Sequence, residues 1–341
     1  MLFLSLTLTK NQEYLLGATS EGELYVWLFE ELLMEYLSEK FEGENIFNHI
    51  CHFKLKEGKI FNLKLAENEL DTLFFNDDYS LYSYSWSDLL AEIKDKRLLG
   101  YPGIKFTKFL DQPRSKLNIH QEFGEDFQKI SSLDYDLKGK RCILGTSKGN
   151  ILIVNLEDLT KNKLITPLKS TISLEDNLLA INAIKYYRDN FLLFGNEKGQ
   201  VKLWNFEINQ EVKSYKLEKE PLSPVRCIQT DKESRWVVIG HSDYITRWHL
   251  ESATLASAMP ALEEVNCLLV GDTTIFSGHN GKNVYQWNEA GDFVTKAEAS
   301  VSCVTTLIGD ADHKEKIMIS GGNGHLIDVF LNSSRVVSFL A

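Results

Sequence analysis

The chain has 341 residues, of which 43% are hydrophobic and 25% charged, a balance typical of a folded globular protein. Its formal net charge of −11 argues against direct binding to phosphate backbones, because that task requires clustered lysine and arginine. No run of about 20 apolar residues is present, so the sequence predicts no membrane-spanning helix.

Predicted strands follow one another from the first residues onward. The start, MLFLSLTLTK, alternates in a way that favours a strand, and it lacks the basic region and cleavage site of a signal peptide. Later segments such as Gln200–Trp204 and Tyr244–Trp248 alternate polar and apolar residues between turn residues, as half-buried strands do. Many short strands at steady intervals predict an all-β protein.

Seven related segments recur along the chain. Each has an apolar strand, a turn of small residues or glycine, and a second strand that ends on a large residue. These closing residues are Trp27, Trp86, Val154, Trp204, Trp248, Trp287 and Phe330. They are 59, 68, 50, 44, 39 and 43 residues apart, and the last four intervals are near the 40–45 residues of a four-stranded propeller blade. The sequence predicts a single seven-bladed β-propeller domain over residues 1–341.

Extra residues lengthen the first two intervals. Residues 30–41 predict a short acidic helix, residues 87–97 predict a second helix capped by Ser87, and residues 98–130 form a longer insertion. These short helical insertions in the N-terminal third are natural places for partner specificity. At the other end, residues 336–340 can supply the outer strand of the last blade. Because the chain starts almost on its first strand, either a preceding segment is missing or blade one packs directly against blade seven.

Three triplets of the form Val-x-Cys precede the last three closing residues, ending at Cys227, Cys267 and Cys303. Earlier repeats have Ala183 and Ser132 at the corresponding place. A metal site would need the thiolates to converge, whereas equivalent positions of successive blades face equivalent packing gaps, so we interpret these cysteines as small core residues. The middle residue of each first strand alternates away from the packed side. The predicted contact residues are therefore Asn182, Arg226, Asn266 and Ser302.

Candidates for catalysis are few. The acidic pairs Asp77-Asp78 and Glu263-Glu264 and the loop at residues 309–313 all fall in predicted turns, where carboxylates are normally solvated. No nucleophile elbow, P-loop or H-E-x-x-H pattern is present. The sequence predicts no enzyme, no cofactor, no metal and no small-molecule substrate.

The Val-x-Cys strands, the glycine turns and the closing tryptophans resemble the WD-repeat propellers, although the Trp-Asp dipeptide is absent, so the hydrogen-bonded tetrad of that family is expected to be missing. Residues 236–260, 274–297 and 316–341 resemble the THO complex subunit 6 family, a divergent branch of these propellers. That resemblance implies a non-catalytic scaffold in the nucleus, within the transcription-export machinery that supports mRNA processing and export. The implied partners are other THO subunits, among them the coiled coil of subunits 5 and 7, with RNA met only through the complex and no membrane. A WD-repeat substrate adaptor of a ubiquitin ligase is the alternative, and a propeller hydrolase is a further one.

Overall fold

A computed structural model describes residues 2–29, 51–55, 58–66, 71–98, 108–109, 113–123, 129–136, 140–156, 162–165, 179–217, 223–312, 316–324 and 326–340. The fold is an all-β, seven-bladed propeller with two short helices in the described part, which confirms the predicted fold class. Within these ranges, no helix is long and apolar enough to cross a membrane.

The blades follow one another in the sequence, and each is a sheet of four strands, with a fifth strand added to the first. The first two blades and their insertions contain β1 (Phe3–Leu8), β2 (Tyr14–Thr19), β3 (Glu23–Leu28), β4 (Cys51–Lys54), β5 (Phe61–Ala66), β6 (Thr72–Asn76), β7 (Ser80–Ser85), α1 (Trp86–Leu98), β8 (Lys108–Phe109), β9 (Ser115–Asn118) and α2 (Ile119–Phe123). The third and fourth blades contain β10 (Ile130–Asp136), β11 (Arg141–Thr146), β12 (Ile151–Asn155), β13 (Lys163–Ile165), β14 (Ile181–Arg188), β15 (Phe191–Asn196), β16 (Val201–Asn205) and β17 (Gln210–Tyr215). The last three contain β18 (Val225–Thr230), β19 (Trp236–His241), β20 (Tyr244–His249), β21 (Thr254–Pro260), β22 (Val265–Val270), β23 (Thr274–His279), β24 (Asn283–Asn288), β25 (Phe293–Glu298), β26 (Val304–Asp310), β27 (Ile317–Gly322), β28 (Leu326–Leu331) and β29 (Ser334–Leu340).

The chain divides into two compact units. The first comprises Met1–Leu117, Ser277–Gln286 and Thr295–Ala341, and the second comprises Asn118–Phe276 and Trp287–Val294. The single domain over residues 1–341 therefore stays a prediction.

Six of the seven closing residues lie in the third strand of a blade, and Trp86 does not. Trp86 is the first residue of α1. The strand position that Trp27 holds opposite Leu15 in the first blade is held in the second blade by Tyr84, opposite Leu73. Trp86 is nevertheless only 5% exposed, because the helix that it begins packs its ring against Tyr14.

Helix α1 confirms the predicted helix at residues 87–97, but its cap differs from the prediction. The Ser85 hydroxyl accepts a hydrogen bond from the Asp88 backbone N–H, and the Asp71 carboxylate accepts one from the Ser87 N–H at 3.0 Å. These acceptors satisfy orphan donors of the first turn, which is the role of a helix cap. The predicted cap, Ser87, lies inside the helix. The helix predicted at residues 30–41 lies outside the described residues.

The insertion after α1 serves two blades. Strand β9 is the outer strand of the second blade, and β8 pairs in parallel with β4 at the outer edge of the first blade. The first blade thus has five strands, and a segment inserted in the second blade covers its edge.

Direct packing joins the first blade to the last within the first unit. Phe3 is fully buried in one apolar cluster with Ile319 and Val329 of the last blade. The Thr305 hydroxyl donates a hydrogen bond of 2.7 Å to the Phe3 carbonyl oxygen. Strand β29, which contains residues 336–340, is the outer strand of the last blade, as predicted. In the described part of the chain, the two blades meet through side chains and through isolated backbone bridges from Leu2 to Asn323 and Gly324, and they do not share a strand.

A glycine near the end of the second strand allows close packing of neighbouring blades in the second unit. A Cβ atom at Gly195 would lie 2.4 Å from Cγ1 of Val225, the first residue of the next blade. A Cβ atom at Gly240 would lie 2.9 Å from Cγ1 of Val265, in the same relation. Any larger side chain would therefore separate the blades, which explains the apolar-Gly pattern seen in the sequence.

Candidate protein-interaction surface

A β-bulge recurs in the first strand of most blades. The register shifts between Phe3 and Ser5, Phe61 and Lys64, Ile130 and Ser132, Ile181 and Ala183, Val225 and Cys227, and Val304 and Thr306. A bulge leaves its extra residue without a cross-strand partner and redirects that side chain. The side chain that follows the buried first residue of the strand therefore no longer alternates with its neighbours. The contact residues predicted from the sequence belong to this position.

Three of the four predicted contact residues occupy this position. Asn182 and Arg226 are the bulge residues of the fourth and fifth blades, and Asn266 follows the buried Val265 in the sixth. Arg226 is exposed, while Asn182 and Asn266 are half-buried. All three belong to the second unit.

Arg226 is part of a polar network that fixes the surface beside it. Its guanidinium forms an ion pair with Glu264, and its Nε donates to the Ser242 hydroxyl at 3.2 Å. The Ser242 hydroxyl in turn donates to Glu264 Oε1 at 3.4 Å. The side chains are partly exposed, so the pair adds little stability, but it holds the turn after β19 against the loop before β22.

Ser302 does not occupy the predicted position. Strand β26 starts at Val304, so the triplet at residues 301–303 precedes the strand, and the bulge residue of the last blade is Thr305. The register shows why: Thr306 pairs with Gly321 as Cys227 pairs with Gly240. Ser302 is exposed, and its hydroxyl donates to the Asn323 carbonyl oxygen at 3.3 Å.

Thr305 and Ser131 are among the bulge residues that sequence reasoning missed. Both donate a hydroxyl hydrogen bond to the first residue of the next blade, Thr305 to Phe3 and Ser131 to Ile181 at 2.6 Å. One signal for Thr305 was available, because Cys303 lies 27 residues before its closing residue whereas Cys227 lies 21 before its own.

Cys227 and Cys142 behave as core residues, whereas Cys303 precedes β26 and its thiol donates to Asn280 Oδ1 at 3.5 Å. Cys227 packs against Gly240, where a Cβ atom would lie 2.5 Å from its sulfur. Burial raises the pKa of the Cys227 thiol to about 12 and also raises the pKa of Cys142, so neither is a ready thiolate at neutral pH. Among the described residues, no group of three histidine, cysteine or acidic side chains could hold a metal ion.

The acidic turns considered for catalysis have local structural roles. The Asp77 carboxylate accepts hydrogen bonds from the backbone N–H groups of Tyr79 and Ser80, at 2.8 and 2.7 Å. Glu264 pairs with Arg226, and Asp310 accepts from the Asp312 N–H. Carboxylates that satisfy turn donors in this way stabilise the loop, as in Asx turns.

Two Gly-His pairs, Gly240-His241 and Gly278-His279, end second strands at a place where the fourth blade has a turn-capping residue. At the same place in the fourth blade, Asn196 accepts hydrogen bonds from the backbone of its turn. His241 instead stacks on Tyr244 with a centroid distance of 4.2 Å, and its Nδ1 lies 3.2 Å from the Ser223 carbonyl oxygen.

The buried indole N–H groups of Trp204 and Trp248 have no acceptor among the described residues, in agreement with the expected loss of the WD tetrad.

His241 is expected to make stability depend on pH. The ring is 4% exposed, and its burial lowers its pKa from 6.5 to about 4. Between pH 6.5 and pH 4, the unfolded chain therefore binds a proton on this ring that the folded chain does not bind. The stabilisation is complete above pH 6.5 and is lost as the pH falls toward 4, by roughly 2 kcal/mol. Chemical denaturation at pH 7 and pH 4.5 measures how far the free energy of unfolding falls between these two pH values. This fall should be smaller for His241→Asn than for the unsubstituted protein. The substitution introduces the residue that the fourth blade has at this place. Equal losses for both proteins would contradict this assignment.

Comparison with known proteins supports the resemblance seen in the sequence. No family model matches the chain. The chain is 24% identical over 329 residues to the THO complex subunit 6 homolog of Danio rerio, in an alignment that covers 94% of this chain and 91% of that protein. It is 28% identical over 151 residues to THO complex subunit 6 of Homo sapiens, which covers 41% of this chain and 44% of the human protein.

Solved structures support the fold alone. The β-propeller domain of Cps50 (Swd1) from Myceliophteria thermophila matches with a TM-score of 0.69 and 10% identity, over 94% of this chain and 93% of that one. The computationally designed protein Ika8 matches with a TM-score of 0.59 and 14% identity, over 96% of this chain and 83% of that one. The predicted resemblance is thus confirmed: this propeller is similar over nearly its whole length to the THO complex subunit 6 homolog of Danio rerio, and over part of its length to the human THO complex subunit 6.

Proposed function

We propose that the chain is a non-catalytic scaffold subunit of the nuclear THO/transcription-export complex, and that it supports mRNA processing and nuclear export through protein–protein contacts. The observation that carries this proposal is the alignment with a THO complex subunit 6 homolog over 94% of the chain. The propeller fold agrees with it, because repeated blades present a broad, rigid surface to partners. The proposed partners are other THO subunits, in particular the coiled coil formed by subunits 5 and 7.

RNA is expected to reach the chain only through the complex. With a net charge of −11, the protein lacks the excess of cations that replaces condensed counterions on a phosphate backbone. The purified chain should bind single-stranded RNA weakly or not at all at physiological ionic strength, as measured by fluorescence anisotropy. Tight binding that weakens steeply with added salt would contradict this expectation.

We further propose that Asn182, Arg226 and Asn266 line the contact surface, because bulges turn the first two side chains out of the strand alternation and Asn266 follows the buried first residue of its strand. Replacing both asparagines with arginine should reduce co-purification of co-expressed subunits 5 and 7 at least tenfold. Ile208→Arg is the matched control, since Ile208 is 60% exposed in a turn at the opposite end of the fourth blade. Equal recovery by both variants would place the contact elsewhere.

Depletion of the protein tests the proposed role itself. In cells of the species that encodes the chain, depletion should cause polyadenylated RNA to accumulate in the nucleus, and re-expression of the chain should reverse it. Fluorescence in situ hybridisation with an oligo(dT) probe measures this distribution. An unchanged distribution, with the protein fully depleted, would contradict a role in export.

A further inference from the structure

The outer strand of the fifth blade differs from the other outer strands in charge. Strand β21, with the sequence TLASAMP, contains no charged residue. The other outer strands contain Lys54 in β4, Lys116 in β9, Lys163 in β13, Glu211 and Lys213 in β17, Lys296 and Glu298 in β25, and Arg335 in β29. Charged side chains on an edge strand discourage pairing with a further strand, so β21 lacks the common protection.

The backbone of β21 also offers hydrogen-bonding groups at its outer edge. The Ala261 N–H donates to the Asp243 carbonyl oxygen at 2.9 Å, which makes these two residues a hydrogen-bonded pair. Such pairs alternate along an antiparallel ladder, so Ile245 and Met259 also form one, whereas Thr246 and Ala258 do not. The N–H and C=O groups of Ala258 therefore point away from the sheet. Its methyl side chain is exposed and leaves them accessible.

Acidic residues surround this edge. Glu251, whose side chain is 66% exposed and forms an ion pair with Arg188, precedes β21 in the chain, and Glu263 follows it. The turn at residues 288–292 lies beside the strand, because a Cβ atom at Gly291 would lie 2.8 Å from Cβ of Ser257. That turn carries Glu289 and Asp292, both exposed.

Two cations near this edge offset these charges only in part. Arg188 pairs with Glu251 at 3.5 Å. Arg247 is buried, lies 4.1 Å over the Trp236 ring and donates to the Glu289 carbonyl oxygen at 2.7 Å. The surroundings of the edge are therefore predominantly negative. A partner segment that approaches it gains from positive charge.

The first blade shows that an outer edge in this protein accepts a further strand. Strand β8, from an insertion, pairs with the outer strand β4 over Phe53–Lys108 and Lys54–Phe109. Strand addition of this kind is a common mode of peptide recognition, in which main-chain hydrogen bonds supply affinity.

From these observations we infer that β21 binds an extended segment of a partner protein, which adds a fifth strand to the fifth blade. The segment has an uncharged centre that pairs with the edge around Ala258 and lysine or arginine residues on both sides of it. This contact is separate from the surface around Asn182, Arg226 and Asn266, and it does not depend on which complex the chain joins.

Site-specific cross-linking in cells tests this inference. The full chain carries a photoreactive amino acid in place of Ala256, an exposed residue of β21, and cross-linked peptides are identified by mass spectrometry. The test variant is Ala258→Pro, which removes the outward N–H group and leaves the inner ladder intact, because this residue does not donate to β20. Ser214→Pro is the matched control, since Ser214 has the same register position in β17.

We expect cross-links to a segment with basic residues on both sides of an uncharged stretch, reduced at least tenfold by Ala258→Pro and unchanged by Ser214→Pro. Ala258→Lys gives a second variant that keeps the backbone, and it should also reduce the cross-links because it adds a like charge. Thermal unfolding of each variant verifies that it is folded. The inference is overturned if no partner segment cross-links, if the cross-linked segment is acidic or helical, or if folded Ala258→Pro and Ala258→Lys leave the cross-links unchanged.

Discussion

Replacing Phe3 with alanine is expected to lower the free energy of unfolding by about 3–5 kcal/mol. The side chain is fully buried, and its ring centroid lies 6.0 Å from those of both Tyr25 and Trp27. It also joins the first blade to Ile319 and Val329 of the last. Because no strand is shared between these blades, the side chains of this cluster carry much of their attachment, and the cavity left by alanine cannot be filled by a neighbouring strand.

Chemical denaturation of the full chain measures this effect. The control is Phe293→Ala, which removes a phenylalanine that is 54% exposed and should cost less than about 1 kcal/mol. Similar small losses for the two variants would show that the first and last blades are held together by something other than this cluster.

Replacing Gly195 with valine is expected to destabilise the protein by about 3 kcal/mol or more. A Cβ atom at this position would already lie 2.4 Å from Val225 Cγ1 and 2.8 Å from Val225 Cβ, well inside van der Waals contact. Gly195 and Val225 both belong to strands, so the fourth and fifth blades would have to move apart to relieve this contact. The buried Val225 would then lose packing contacts.

A double-mutant cycle distinguishes this clash with Val225 from a destabilisation that any side chain at Gly195 would cause within its own strand. Val225→Ala removes the two methyl groups that meet the new side chain, so the double variant should lose less stability than the sum of the single variants. Denaturation midpoints of the four proteins give the coupling. Additive losses would mean that Gly195 matters for another reason.

Much of the fold was predictable because its determinants are local and repeat. Alternating strands such as β16 and β20, the glycine turns and most of the closing aromatic residues show the blade period directly in the sequence. Trp86 was wrongly predicted to close a strand, because it is instead the first residue of the helix that follows that strand. A large apolar residue is favoured at a buried position of a helix as well as of a strand, so the residue type did not show the difference.

The candidate surface was predictable only in part. Asn182, Arg226 and Asn266 follow a first apolar residue of their strand, which the sequence shows. Ser302 was predicted from the triplet at residues 301–303, whereas the pairing of Thr306 with Gly321 shows that the next triplet, residues 304–306, starts the strand. Register across strands depends on contacts distant in sequence, so the local pattern did not distinguish the two triplets, and only the longer interval from Cys303 to Phe330 pointed to the second.

The uncharged edge of β21 is a property of the sheet as a whole. Its composition is visible in the sequence, but the outward direction of the Ala258 N–H and the acidic turn beside Ser257 follow from the register and from packing between blades. Neither could be derived before the strands were assigned to blades.

Affinity purification of the tagged chain from nuclear extract, with and without RNase and followed by mass spectrometry, tests the proposed function most directly. The account predicts that the other THO subunits are recovered in a complex that RNase does not disrupt, because protein contacts hold the chain in it. Recovery of cullin-type ubiquitin ligase partners, or of no THO subunit, would contradict the proposed function and leave the propeller and its repeating bulges unchanged.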